Sequence, residues 1–211
     1  DGFEVEINQP TGQTKVGFSL HKYFNSSTGA GNQNYNDFVF PDICKAVQSV
    51  ADYFGSEILI ADIVNIEFGV NITAPIPTTE LLNNCHSHRK KRFNVEATAG
   101  KLYYNCIHSQ YRVKIYDKGL QYSLSDPALR FELHYGKMEK IRPLGITAFR
   151  DLLNIEIYPR LLHVLLTEWD KVLFIDTTLN DPTTSNLKAK FKAWKTPEFW
   201  TRLIEKQTAK K

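Results

Sequence analysis

Three segments in which apolar and polar residues alternate set the strongest limit on how this 211-residue chain can fold. Successive side chains of a β-strand point to opposite faces of a sheet, so a period of two predicts a strand with one buried face. The segments read DIVNIEFGVNI at residues 62–72, RVKIYDK at 112–118 and LRFELHY at 129–135. Together they predict one sheet with an apolar face and a polar face.

Helical periodicity flanks these strands. Apolar residues recur at helical spacing over 43–54, with Pro41 near the start and Gly55 just past the end. Further helices are predicted over 160–171 and from Pro197 onward. The predicted fold class is therefore α+β, a mostly antiparallel sheet with helices packed on its apolar face and a C-terminal helical extension.

The predicted domains are a sheet-containing body over residues 1–155 and a helical extension over 156–211. The loop DTTLNDPTTS at 176–185 is the best candidate boundary between a mixed body and a helical C-terminal piece. Because the chain starts at Asp1 without an initiator methionine or a leader, we expect a processed protein or a fragment of a longer one.

The cysteines and the hydropathy pattern predict the cellular setting. Three cysteines cannot all pair within one chain, and no other feature indicates a secreted disulfide scaffold. We therefore expect a reducing cytoplasm, that of a bacterium or of its host. No run of about 18 apolar residues is present to span a membrane, so no membrane partner is expected.

Positive charge is concentrated in two segments. Residues 86–118 and 188–211 each carry eight Lys or Arg against two acidic residues, which leaves −9 on the rest of a chain whose total is +3. Clustered cations favour a polyanion such as nucleic acid, and two solvated faces are the alternative. Four consecutive cations form a basic tip that could grip a DNA backbone, or a plain solvated hairpin tip. They are Arg89, Lys90, Lys91 and Arg92.

Two glutamates on the predicted polar face indicate a metal site. Glutamate is disfavoured inside strands, so Glu67 and Glu132 at central strand positions need a reason. With His134 they would suit Mg²⁺ or Mn²⁺, which could polarise a phosphodiester. The alternative is that cross-strand Glu–Lys pairs merely stabilise the sheet.

Tyr116 lies on the same predicted face, between Lys114 and Lys118. A phenol with a pKa near 10 is a poor nucleophile at neutral pH, but neighbouring cations and a metal would favour the phenolate. Its attack on DNA would leave a phosphotyrosine bond and a free hydroxyl, and would retain the bond energy for later rejoining without ATP. The alternative is an ordinary strand tyrosine, since the chain has ten.

Three blocks of the sequence resemble a known family. In order they are NIEFGVNI, VKIYDKG and LRFELHYGKMEKIRPLGITAFRDLL, and they resemble blocks of the filamentous-phage replication initiator and related phage and plasmid rolling-circle nicking proteins. The resemblance covers about residues 60–155. In those relatives the first block reads approximately Arg-Ile-Asp, the second has a tyrosine before a lysine, and the third has Arg-Phe-Glu followed by a basic stretch and Leu-Gly.

The resemblance implies a role for five residues. The nucleophilic tyrosine of the family falls on Tyr116, and the lysine two residues later falls on Lys118. The arginine and glutamate of the third block fall on Arg130 and Glu132, and the acid of the first block falls on Glu67. The first block departs from the family pattern, with asparagine in place of arginine and glutamate in place of aspartate, which weakens the metal assignment more than that of the tyrosine.

Cysteines and histidines elsewhere in the sequence have a weaker claim to a site. The pair His86 and His88 is similar to the paired histidines of another class of nicking enzymes, but it falls in a cationic connector and not on a strand. Five residues could be assembled into a zinc site, yet their spacing matches no ordinary finger, so we interpret them as free surface side chains. They are Cys85, His86, His88, Cys106 and His108.

The expected function is that of a metal-dependent, sequence-specific single-strand DNA endonuclease and strand transferase that starts rolling-circle replication of a phage or plasmid. Tyr116 would attack the phosphate, while Lys114, Lys118 and Arg130 would neutralise its charge. The expected partner is single-stranded or origin DNA, and assembly as a homodimer is left open. The alternatives are a non-catalytic module that binds origin DNA and a protein whose polar sheet face binds another protein.

Overall fold

The computed structural model describes residues 2–98, 101–176 and 185–208 and has the predicted α+β architecture. Its strands are β1 Glu4–Asn8, β2 Gln13–Gly17, β3 Ile66–Thr73, β4 Cys85–His88, β5 Lys91–Arg92, β6 Asn94–Thr98, β7 Lys101–Ile107, β8 Tyr111–Asp117, β9 Ala128–Tyr135 and β10 Val172–Phe174. Its α-helices are α1 Leu20–Ser27, α2 Phe40–Phe54, α3 Thr78–Asn84, α4 Lys118–Tyr122, α5 Ile157–Trp169, α6 Ser185–Trp194 and α7 Pro197–Thr208.

The chain forms two compact units, each built from two stretches of sequence. Unit 1 consists of residues 1–65 and 137–161, and unit 2 of 66–136 and 162–211. These divisions differ from the predicted boundary after residue 155. Most of the loop at 176–185, the other candidate boundary, lies outside the described residues.

Unit 1 is mainly helical and contains α1, α2 and the β1–β2 hairpin. Helix α2 confirms the prediction: it buries its apolar stripe and ends at Gly55, whose φ of 95° favours glycine. Helix α1 begins after Ser19, whose side chain caps it by accepting a hydrogen bond from the Lys22 amide.

Unit 2 is built around a five-stranded antiparallel sheet with the order β3-β9-β8-β7-β6. The three alternating segments are its first three strands, in the registers that put their apolar residues on one face. Val113, Ile115 and Leu133 are fully buried there, and each such side chain contributes about 1.5–3 kcal/mol relative to exposure. From α5, Trp169 packs edge-on against Phe131. The sequence pattern therefore fixes the polarity of both sheet faces.

A second, three-stranded sheet of unit 2 has the order β10-β4-β5. Its strands β4 and β5 form a hairpin whose turn residues Arg89 and Lys90 have positive φ values of 46° and 67°. The segment with His86 and His88, which we expected in a connector, is therefore a strand. That strand is buried along its whole length, so no alternation of exposed and buried residues marks it in the sequence.

Candidate functional site

The polar face of the five-stranded sheet brings residues from β3, β8 and β9 together. Because side chains alternate along each strand, directly opposed residues point to the same face. The opposed pairs that carry the predicted site residues are Glu67–His134, Lys114–Glu132 and Tyr116–Arg130.

The Tyr116 hydroxyl lies at the centre of a short hydrogen-bonded chain. Lys118 Nζ donates to this oxygen over 3.2 Å, and the hydroxyl donates to Glu132 Oε1 over 3.0 Å. Lys118 is positioned by the strand-to-helix junction, where Asp117 caps α4 by accepting from the Leu120 amide at 2.7 Å. All three residues of this hydrogen-bonded group are buried, since Tyr116 is 4% exposed, Lys118 1% and Glu132 3%.

Glu132 is held in place by its neighbours on the same face. Arg130 Nε donates to Glu132 Oε1 at 2.8 Å, and the Arg130 guanidinium also donates to Asn71 Oδ1 at 3.1 Å. Gly69 stands opposite Glu132, and a β-carbon there would lie 2.3 Å from the Phe131 carbonyl oxygen and 2.8 Å from Glu132 Cγ. Only glycine therefore leaves room for this carboxylate beside β3.

The electrostatic expectation for Tyr116 needs correction. Burial raises the pKa of its phenol, and the neighbouring Glu132 carboxylate raises it further, against the opposing effect of Arg130. The lysines lie against aromatic faces, with Lys114 Nζ 5.1 Å and Lys118 Nζ 5.3 Å from the Tyr116 ring centre. Tyr116 is therefore protonated at neutral pH, and a nucleophilic role requires a base.

The three predicted metal ligands do not converge on one point. His134 Nδ1 lies 3.5 Å from Glu67 Oε2, and this hydrogen-bonding contact lowers the pKa of Glu67. Glu132 is engaged with Arg130 and Tyr116 instead. Across residues 2–98, 101–176 and 185–208, no group of three acidic, histidine or cysteine ligand atoms within 4.8 Å of one another includes any of them. The side chains as placed do not fit the predicted magnesium or manganese ion.

The predicted DNA-binding cations outside the sheet lie at the β4–β5 hairpin. Arg89 is committed to unit 2 itself, since its Nε and NH2 groups donate to the two carboxylate oxygens of Glu168 at 2.8 and 2.6 Å. Lys91 Nζ donates to the Ile107 carbonyl oxygen at 2.5 Å. All four residues are exposed to solvent, but two of the predicted DNA-binding cations, Arg89 and Lys91, are hydrogen-bonded within unit 2.

A second polar cluster lies in unit 2, away from these residues in the sequence. His88 Nδ1 is 2.8 Å from His108 Nε2, and Cys106 Sγ is 3.5 Å from the same His108 atom. Burial lowers the pKa of His108 to about 4, with His88 and Lys91 acting in the same direction. The expectation that these are free surface side chains is wrong, because His88 and Cys106 are fully buried.

Glu168 on α5 organises the surroundings of this cluster and was not predicted. Its carboxylate accepts from Arg89, from Lys171 Nζ at 2.9 Å and from the Tyr111 hydroxyl at 2.6 Å. Burial alone would raise the pKa of Glu168, but hydrogen bonds from Arg89, His88, Lys171 and Tyr111 together hold that pKa well below its usual range. The only sequence signal was an acidic residue in a mainly apolar helical segment.

Comparison with known proteins leaves the family open. No protein-family model, curated protein or solved structure matches the chain. The resemblance to rolling-circle nicking proteins therefore stays a prediction from three short blocks. Among the helices of the described residues, none has both the length and the apolar character needed to cross a bilayer.

Proposed function

We propose that unit 2 nicks and rejoins single-stranded DNA through Tyr116, as a phage or plasmid replication initiator acting in a bacterial or host cytoplasm. The observation that carries the proposal is the chain in which Lys118 donates to the Tyr116 hydroxyl and that hydroxyl donates to Glu132. It supplies a nucleophile, a proton acceptor and a cation within hydrogen-bonding distance of one another.

The reaction follows from the roles of these three groups. Tyr116 Oη attacks phosphorus while its proton passes to Glu132, the acceptor of its hydrogen bond. The bond from phosphorus to the leaving sugar oxygen breaks, and that oxygen takes a proton. The Lys118 ammonium, which donates a hydrogen bond to the attacking phenol, supplies this proton. Because one phosphate ester replaces another, the reverse reaction rejoins the strand without ATP. Lys114 and Arg130 offset the phosphate charge.

The expected cofactor, Mg²⁺ or Mn²⁺, is assigned no step here, because Glu67 and Glu132 are separately engaged and do not converge on one ion. The proposal thus makes Glu132 the base, and it predicts that Glu132→Gln abolishes adduct formation while leaving DNA binding in place.

The test is capture of a covalent protein–DNA adduct. The protein is incubated with a randomised single-stranded oligonucleotide pool and Mg²⁺, Mn²⁺ or a chelator, denatured in detergent, and separated by size. We expect an adduct whose modified peptide contains Tyr116 and which is lost in Tyr116→Phe. The matched control is Tyr103→Phe, because the Tyr103 ring lies on the same face, 5.1 Å from that of Tyr116. An adduct that persists in Tyr116→Phe would overturn the proposal.

A second function, DNA binding without cleavage, is favoured by one observation. Tyr116 is buried with a raised pKa, as an ordinary structural tyrosine would be, while cations such as Lys90, Arg92 and Lys188 are exposed. Such a module would give no adduct, and its affinity for single strands would fall steeply as salt rises. The same incubations, followed by binding measured at two salt concentrations, separate the two functions.

A further inference from the structure

The histidine–cysteine cluster of unit 2 has the composition and spacing of a transition-metal site. Its ligand atoms are two imidazole nitrogens and one sulfur, and all three lie within 4.8 Å of one another. In a tetrahedral zinc site the metal–nitrogen distance is about 2.0–2.1 Å and the metal–sulfur distance about 2.3 Å. With these bond lengths, two ligand nitrogens lie about 3.4 Å apart, and a nitrogen and a sulfur about 3.6 Å apart. The observed separations are 2.8 and 3.5 Å. A shift of about half an ångström between the two rings would satisfy zinc.

The tautomer of His88 is set so that a lone pair points into the cluster. Its Nε2 lies 3.1 Å from the Glu168 carbonyl oxygen and 3.2 Å from Glu168 Oε2. Both of these atoms are acceptors, so Nε2 carries the proton and Nδ1 of the neutral ring does not. A carboxylate that orients the far nitrogen of a histidine is the usual outer-shell arrangement of zinc ligands. This orientation is independent of the spacing of the three ligand atoms.

We propose that His88 Nδ1, Cys106 Sγ and His108 Nε2 bind one Zn²⁺ ion. A buried thiolate with two imidazoles suits zinc better than magnesium or manganese, which prefer oxygen ligands. Binding removes the thiol proton of Cys106 and moves the His108 proton to Nδ1, and water fills the fourth tetrahedral position. The ion ties β4, which carries His88, to β7, which carries Cys106, and so fixes the base of the β4–β5 hairpin.

The experiment is a titration of the full chain, freed of metal by a chelator and without a histidine tag. Co²⁺ serves as the probe because a cobalt–thiolate bond gives a charge-transfer absorption band, and Zn²⁺ is then added in competition. We expect one equivalent of Co²⁺ with that band, and its displacement by Zn²⁺. Addition of Zn²⁺ to the metal-free chain should also raise the melting temperature.

Variants assign the ligands. Cys106→Ser is expected to lose the charge-transfer band, and His108→Ala to lose the bound equivalent and the Zn²⁺-dependent rise in melting temperature. The matched control is Cys85→Ser, a buried thiol outside the group of three, which should behave like the unmodified chain. Circular dichroism checks that each variant is folded.

Two results would overturn the proposal. One is an unmodified chain that binds no Co²⁺ or binds it without the thiolate band, which would leave a hydrogen-bonded histidine pair and no metal site. The other is a band that survives in Cys106→Ser but disappears in Cys85→Ser. The first needs no variant to fold, so the proposal is tested even if the substitutions are destabilising. Neither depends on DNA cleavage.

Discussion

Two buried glutamates in unit 2 each accept a hydrogen bond from a tyrosine hydroxyl, but the cations around them differ in their access to solvent. At Glu168 the side chains of Arg89 and Lys171 are 42% and 32% exposed. At Glu132 the side chain of its ion-pair partner Arg130 is 13% exposed, and the nearby Lys118, which donates to the Tyr116 hydroxyl, is 1% exposed. The first arrangement neutralises an acid at the edge of the core. The second keeps a cation out of water, which is costly and which the proposed role in binding phosphate would account for.

The largest expected effect tests whether Glu168, the first of the two glutamates, stabilises the fold. Glu168→Gln is expected to lower the free energy of unfolding by about 3 kcal/mol, since buried Tyr111 and His88 lose a charged partner while Arg89 can still reach water. Denaturant unfolding measures the change. The control Glu205→Gln, at an exposed position of α7, should stay within about 0.5 kcal/mol. A loss as small as that of the control would mean that the Glu168 cluster contributes no net stability.

The next prediction compares the two tyrosines directly. Tyr111→Phe removes a 2.6 Å hydrogen bond to Glu168 and is expected to cost about 1.5–3 kcal/mol. Tyr116→Phe removes a longer, 3.0 Å hydrogen bond to Glu132, which keeps Arg130, and the 3.2 Å hydrogen bond from Lys118. It is expected to cost about 1.5 kcal/mol, the lower end of the range for bonds to charged groups. Both are measured by denaturant unfolding. The comparison breaks if Tyr116→Phe proves the more destabilising, because Tyr116 would then be the structural tyrosine.

A further stability prediction concerns how Glu132 is placed. Gly69→Ala puts a β-carbon against the Phe131 carbonyl and the Glu132 side chain, so we expect a loss of about 1–3 kcal/mol from overpacking. Gly136→Ala is the matched control, because a β-carbon there meets nothing within 4 Å. Thermal unfolding of both variants tests this, and equal melting temperatures would show that β3 can shift to admit the methyl group.

The sheet around Glu132 was predictable because alternation reports both a strand and the face of each residue. Segments β3, β8 and β9 each carry that pattern, and their pairing then follows from the need to bury one face. The polar-face group of Tyr116, Glu132 and Arg130 could be predicted for the same reason. The raised pKa of Tyr116 could not be predicted, because the burial of its phenol depends on neighbours that the alternation does not specify.

The region around Glu168 was not predictable by the same means. Strand β4 is buried on both sides, so Cys85–His88 shows no alternation and resembles a polar connector. The bond between Arg89 and Glu168 joins residues 79 positions apart, and no local pattern links them. Histidine and cysteine positions were visible in the sequence, but their convergence depends on the pairing of β4 with β5 and the packing of that hairpin beside β7.

The smallest expected effect concerns a third carboxylate, that of Asp151, which can be compared with Glu168 and Glu132. Among the described contacts it has no cationic hydrogen-bond donor. Asp151 Oδ2 accepts from the Thr147 and Ala148 amides, both at 2.8 Å. The Ala148 amide lowers the pKa of Asp151 below its ordinary 3.8, burial opposes this, and the Thr147 amide lowers it further. Asp151→Asn keeps an acceptor oxygen but loses the charge, so it should cost about 0.3–1 kcal/mol at neutral pH.

The pH dependence of that loss distinguishes charge from shape. Since the folded pKa of Asp151 lies below the unfolded one, its stabilisation is complete above the ordinary value of 3.8 and is lost as the pH falls through the folded pKa. The gap between the unmodified chain and Asp151→Asn in denaturant unfolding should therefore close below about pH 3.8. Asp37→Asn, at an exposed position, should leave stability at neutral pH within about 0.5 kcal/mol. A gap that stays constant in acid would assign the Asp151 contribution to its shape, and hydrogen bonds to backbone amides would then not be enough to stabilise a charged carboxylate here.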